Sequence, residues 1–199
     1  MNQLRAWIVV TFLLAGNASF ASQYQVGFKA SHESLGAEFA YVTDSGYGSL
    51  SAGANIVINN DQYRMLRGCF LMTGDPFRPG LRYGIGFEPV LGSVDHPKDH
   101  AHDGDLFAVP FLFQVAFDLF TTDLRVPVDV TLEASFAPDP LTSHESRYYG
   151  GIKMAGEYRI LTNAGITIEY RYMQAKFEHL DDEWRFSEHL YLIGYIMRF

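Results

Sequence analysis

Apolar and polar residues alternate with a period of two along much of the chain. In the run from 126 to 136, Val126, Val128, Val130, Leu132, Ala134 and Phe136 share one face, and Pro127, Asp129, Thr131, Glu133 and Ser135 share the other. Ile166, Ile168, Tyr170 and Tyr172 alternate with Thr167, Glu169 and Arg171, and Leu81–Glu88 does the same. A helix would space its apolar residues three and four apart, so these runs predict half-exposed strands. Strands are expected near 23–31, 34–43, 48–57, 63–73, 80–91, 105–118, 125–136, 147–160, 164–176 and 188–199. Turn residues separate them: Ser45-Gly46, Asn59-Asn60-Asp61, Asp75-Pro76, Pro79-Gly80 and Thr162-Asn163.

An even number of strands puts both ends of the domain on one side. From residue 91 onward the connections alternate in length. Those at 92–104, 137–146 and 177–187 read as long, and those at 119–124 and 161–163 as short. That rhythm is the habit of outer-membrane barrels. The expected fold is all-β: a closed antiparallel up-and-down transmembrane barrel of ten strands, with eight as the alternative.

Alternation alone does not say which face meets lipid. A soluble lipocalin-like barrel keeps its apolar face inside, and a membrane barrel turns it outward. Three features favour the second arrangement. The longer strands exceed the five or six residues usual in globular sheets. Aromatics on the apolar face crowd toward strand ends, at Tyr24, Tyr41, Phe107, Phe117, Tyr148, Tyr158, Tyr172 and Tyr191, where interfacial girdles sit. The last strand also carries Tyr191, Ile193, Tyr195, Met197 and Phe199 on one unbroken face. This resembles the C-terminal signal read by barrel-assembly machinery.

Residues 1–21 read as a secretory signal peptide. Arg5 precedes an apolar run from Ala6 to Ala15, and Ser19-Phe20-Ala21 places small residues at a cleavage site. That run is too short for a helical span. Residues 22–199 then form one barrel domain, and no later stretch is apolar and long enough for a transmembrane helix. A net charge of −8 excludes a nucleic-acid role, which needs a basic stripe. One cysteine, Cys69, excludes a disulfide framework and reads as a small buried apolar residue.

Several stretches resemble the YfaZ-type family of Gram-negative outer-membrane proteins. They are Gly36–Val42, Ala137–Thr142, Glu157-Tyr158-Arg159, Glu169–Tyr172 and Arg198-Phe199. The resemblance implies an outer-membrane location and a small barrel, and it brings no activity and no functional residues with it.

With lipid outside, the polar face lines the lumen. It carries Lys29, Glu38, Arg82, Glu88, Asp129, Glu133, Lys153, Glu157, Arg159, Glu169, Arg171 and Arg198. Both signs in similar number suit a network of ion pairs filling a narrow barrel, or a narrow channel for small solutes. His96, His100 and His102, among aspartates, are metal-ligand candidates of no established spacing. A barrel enzyme acting on lipid A or peptide is the competing class. Its candidates are Ser143, His144 and Glu145, or Ser187, Glu188 and His189, with no Gly-x-Ser-x-Gly motif. Neighbours along a strand point to opposite faces, which disfavours both triplets. The sequence thus predicts a monomeric, non-enzymatic outer-membrane protein with no cofactor. Its partners are expected to be membrane lipid and the assembly machinery.

Overall fold

The structure is a computed structural model and describes residues 22–44, 48–59, 62–74, 80–95, 103–179 and 182–199. The expected signal peptide and the three loop histidines His96, His100 and His102 lie outside the described residues.

Among the described residues, thirteen strand segments form one sheet: β1 (Ser22–Ala30), β2 (Ser34–Asp44), β3 (Ser49–Asn59), β4 (Tyr63–Gly74), β5 (Leu81–Phe87), β6 (Val90–Asp95), β7 (Asp103–Ala108), β8 (Phe111–Asp118), β9 (Val128–Ala137), β10 (Thr142–His144), β11 (Ser146–Leu161), β12 (Ala164–His179) and β13 (Asp182–Arg198). Three pairs of segments are halves of one stave: β5 with β6, β7 with β8, and β9 with β10. This leaves ten antiparallel staves. The sheet closes on itself, because β1 pairs with β13 as well as with β2. The seam runs from Gln25 opposite Arg198 to Ala30 opposite Ile193. Tyr24 and Phe199 extend it with reciprocal backbone hydrogen bonds of 3.0 and 2.8 Å. Closure satisfies the ladder edges along this seam, which a sheet in hydrocarbon requires.

The broken staves differ from the continuous strands that the sequence predicts at 80–91 and 105–118. Pro89 and Pro110 have no N–H for the ladder. Three bonds carry the pairing across these two gaps: Gly68 N–H to Pro89 O at 2.7 Å, Glu88 N–H to Pro110 O at 3.0 Å, and Val109 N–H to Leu141 O at 2.8 Å. On the next stave, Pro138 and Pro140 interrupt the strand around a short 3-10 turn at Asp139–Leu141.

The predicted rhythm of loop lengths is corrected. At the end holding Ser22 and Phe199, here the proximal end, the connections are 45–48, 75–80, 119–127 and 162–163. At the distal end the expected long loops shrink. The segment 137–146 is taken up by the 3-10 turn and β10, and 177–187 is almost all strand, since β12 runs to His179 and β13 begins at Asp182. The extra strand forms because its inward residues Phe177, Trp184 and Phe186 have a core to join.

The faces of the barrel exchange character along its axis. In the proximal part the outward positions are apolar: Ile85, Ile168 and Ile193 are 64%, 63% and 64% exposed, with Phe28, Phe70 and Phe113 beside them. All eight aromatics named above for the girdles also lie on outward positions of their strands. In the distal part the outward positions are polar, at Arg64, Asp105, Lys176, Glu178, Glu183 and Arg185, and most inward ones are apolar, with Ser34 and Asn59 among the exceptions. Strand β12 carries both patterns. Its outward face reads Ile166, Ile168, Tyr170, Tyr172, Gln174, Lys176, Glu178, and its inward face reads Thr167, Glu169, Arg171, Met173, Ala175, Phe177. Pairing with β13 keeps one register throughout, so no bulge causes the exchange.

Candidate functional site in the barrel lumen

Ladder register brings the inward charges together in layers. Near the proximal mouth, Arg198 and Glu157 form a two-pronged pair, with Arg198 Nη1 donating to Glu157 Oε1 at 2.5 Å. Arg159 donates from Nε to Asp129 at 2.7 Å and reaches Asp118 at 3.0 Å. Glu157 and Asp129 are direct neighbours across β11 and β9, and both must meet a cation to stay charged there.

The middle layer is more deeply buried. Lys29 on β1 donates to Glu38 on β2 and to Glu169 on β12, both at 2.6 Å. Arg171 lies 2.6 Å from the other Glu169 oxygen and donates to Asn55 at 3.4 Å. Lys153 contacts Glu133, its direct neighbour across the β9–β11 ladder, at 2.7 Å, and Gln114 donates to the same carboxylate at 2.9 Å. Glycines give these side chains room. A Cβ on Gly27 would lie 2.6 Å from Glu38 Cγ, and one on Gly194 would lie 2.6 Å from Lys29 Cγ.

Above this layer the lumen holds an apolar core that includes Val57, Tyr63, Met65, Val94, Leu106, Met173 and Phe177. Phe177 stacks on Trp184 with ring centres 4.2 Å apart, and Tyr63 meets Phe186 edge-on at 5.6 Å. Gly104 faces that stack so closely that a Cβ would lie 2.6 Å from Trp184. Outside, Lys176 and Glu183 pair at 2.9 Å across β12 and β13, which holds the Glu183 carboxyl below the usual carboxylate range.

Of the twelve charges assigned to the lumen from sequence, all but Arg82 enter these ion pairs. Arg82 has the inward register but is exposed near the proximal mouth, and it makes no ion pair among the described residues. Sequence reasoning missed Arg67. It lies on β4, is 4% exposed, and is 3.9 Å from Glu88. Both faces of β4 carry apolar residues, Leu66, Phe70 and Met72 against Met65, Cys69 and Leu71, so alternation did not assign Arg67 to either. Its register opposite Asn55 places it inside.

The nucleophile candidates divide between faces. Ser187 and His189 are exposed on the outer surface, while Glu188 has the inward register. His189 is engaged by Tyr170, whose hydroxyl is 2.9 Å from Nδ1, and its ring lies beside Tyr172. The side chains of Ser143 and His144 lie outside the described residues. Among the described residues no group of three His, Cys, Asp or Glu is placed to hold a metal ion.

No family model matches the chain, and no curated protein matches it. Solved structures do. One, from work on the in-meso crystallization of membrane proteins, aligns at 9% identity with a TM-score of 0.47, over 90% of this chain and 83% of that one. Neisserial surface protein A aligns at 10% identity and TM-score 0.37, over 89% and 94%. Ail, the attachment invasion locus protein of Yersinia pestis, aligns at 12% and 0.23, over 89% and 97%.

Proposed function

We propose that this chain is a small outer-membrane barrel with a sealed lumen, structural in role and without enzymatic activity. The observation that carries this reading is the exchange of faces along the barrel axis. The outward apolar stripe of β13 runs from Tyr191 to Phe199. At strand rise and tilt usual for such barrels it is about 20 Å tall, close to the apolar band of an outer-membrane protein. An apolar belt of that extent is costly in water and favourable in lipid. Beyond it the outer surface becomes polar and the interior apolar, as in a water-soluble sheet. A soluble lipocalin-like barrel would keep its apolar face inside along its whole length.

The resemblance to the YfaZ-type family and the signal-like residues 1–21 agree with this location. Lipid and the assembly machinery are its partners in this reading, and the protein is a monomer. The division of Ser187, Glu188 and His189 between two faces supports the non-enzymatic role.

Detergent-folded protein should migrate differently in gels before and after boiling, and an unchanged band would overturn the membrane barrel. In planar bilayers the folded protein should give no conductance steps. Steady conductance would replace the sealed reading with a narrow channel through the charged lumen. Lipid A from cells expressing the protein should keep its mass; a lost or added acyl chain would favour a barrel enzyme instead.

A further inference from the structure

The seam between β1 and β13 ends below the distal rim. Its last pair is Ala30 opposite Ile193, and the chain then turns into β2. β13 begins at Asp182, so residues 182–192 run beyond β1 while still paired with β12. Among the described residues no other strand pairs with that stretch. The seam fixes where its backbone groups point. Phe199 exchanges bonds with Tyr24 across it, whereas Arg198 donates to Asn163 on the β12 side. Alternation then aims the N–H and C=O of Glu183, Arg185, Ser187, His189 and Tyr191 at the vacant side. All five side chains are exposed on the outer surface. The edge is about 27 Å long at the usual rise per residue. Neither a bulge nor a proline blunts it, since the register with β12 is unbroken and Asp182–Arg198 contains no proline.

The inward face beside this edge has a definite character. Leu190 is buried, Phe186 packs on Tyr63, and Glu188 lies between them in the same register. Glu188 makes no ion pair among the described residues. Burial and the Glu33 carboxylate push its carboxyl above the usual carboxylate range. A cation brought against it would offset both. A second copy in the same membrane does not supply one, because antiparallel pairing of identical strands needs a two-fold axis that turns its barrel upside down. The geometry points to strand addition: an extended segment of a partner protein pairs with residues 183–191, turns apolar side chains toward Phe186 and Leu190, and sets a lysine or arginine against Glu188. That this edge meets water rests on the outer-membrane reading above.

Amide hydrogen exchange of the detergent-folded chain, read residue by residue by NMR, tests this with the peptide Thr-Val-Thr-Lys-Thr-Val-Thr. That peptide is the same in both directions, so strand polarity does not matter. Exchange at Arg185, Ser187 and His189 should slow about tenfold or more as peptide is added, while Phe186 and Glu188, whose amides face β12, should not change. A peptide with glutamate at the centre should bind about tenfold more weakly, because like charges then meet at Glu188. Ser187→Pro removes a donor on the vacant side alone and should abolish protection at Arg185 and His189. If that variant loses its fold, the alternating pattern in the unaltered chain still decides. No slowing at millimolar peptide, equal slowing at odd and even positions, or equal binding of the two peptides would overturn the site. Gel mobility unchanged by boiling would sink the outer-membrane reading, whereas a heat-modifiable protein without the alternating pattern sinks strand addition alone.

Discussion

Glu169 is 1% exposed and contacts two cations from two different strands, Lys29 and Arg171. A carboxylate so placed holds the middle of the lumen together by charge. Removing its charge leaves Arg171 buried beside a neutral amide. Glu169→Gln should therefore cost about 3–5 kcal/mol, the usual loss when one member of a buried pair is removed. Urea unfolding in detergent measures it. Adding Arg171→Met should recover part of the loss, since the orphaned cation goes with it. The sequence placed Glu169 and Arg171 on the polar face of their strand correctly. It could not show that Lys29 reaches the same carboxylate, because those residues are 140 positions apart and meet only when the barrel closes.

β13 works differently on its two faces. Inside, Leu190, Leu192 and Ile196 are buried, and Arg198 reaches Glu157. Outside, the stripe from Tyr191 to Phe199 faces away from the barrel interior, with Tyr191 and Ile193 68% and 64% exposed. Phe199 is 70% exposed, while its backbone N–H and C=O close the seam with Tyr24. Phe199→Ala keeps both backbone bonds. It should leave heat-modifiable folding in detergent intact and lower the amount of assembled protein in a Gram-negative cell, measured in isolated outer membranes. Equal assembly would show that the stripe serves lipid contact alone. β12 shows how an element can be half legible. Its proximal alternation was readable, but Tyr172 and Met173 are apolar neighbours, and past them the apolar residues occupy the other face. A single alternation phase ends there, so the strand seemed to stop near 176 and a loop was expected where the sheet continues.

Across the whole molecule, the apolar surface changes sides with height. In the proposed reading lipid meets the proximal belt and water surrounds the distal part, so the hydrophobic effect places apolar side chains outside in one region and inside in the other. The chain has two tryptophans, Trp7 and Trp184, and Trp184 lies partly buried against the distal core. In a chain starting at Ser22 and reconstituted with lipids brominated on their acyl chains, Trp184 fluorescence should be little quenched. In Ile193→Trp, which adds a tryptophan on the belt, the added fluorescence should be strongly quenched. Equal quenching of both would place the distal part within the bilayer and reject this arrangement of the faces. The same exchange of faces corrects the expectation of a polar lumen along the full barrel. Charges fill the proximal and middle levels, and Phe177, Trp184 and their neighbours occupy the distal one.

Period-two alternation and breakers at the turns pointed to an antiparallel sheet of ten staves, with eight left open, because a side chain's face within a strand is a local property of the backbone. That Glu133 and Lys153 both face the lumen also followed from that local rule, while their pairing across the ladder did not. What the linear chain could not decide was the environment met at each height. Which inward charges share a carboxylate, where Arg67 lies, and where the interior turns apolar depend on residues distant in sequence. They also depend on whether lipid or water lies outside the wall. Ring closure settles the first, since it fixes every stave's register to its neighbours and leaves one enclosed volume for all the inward side chains to fill.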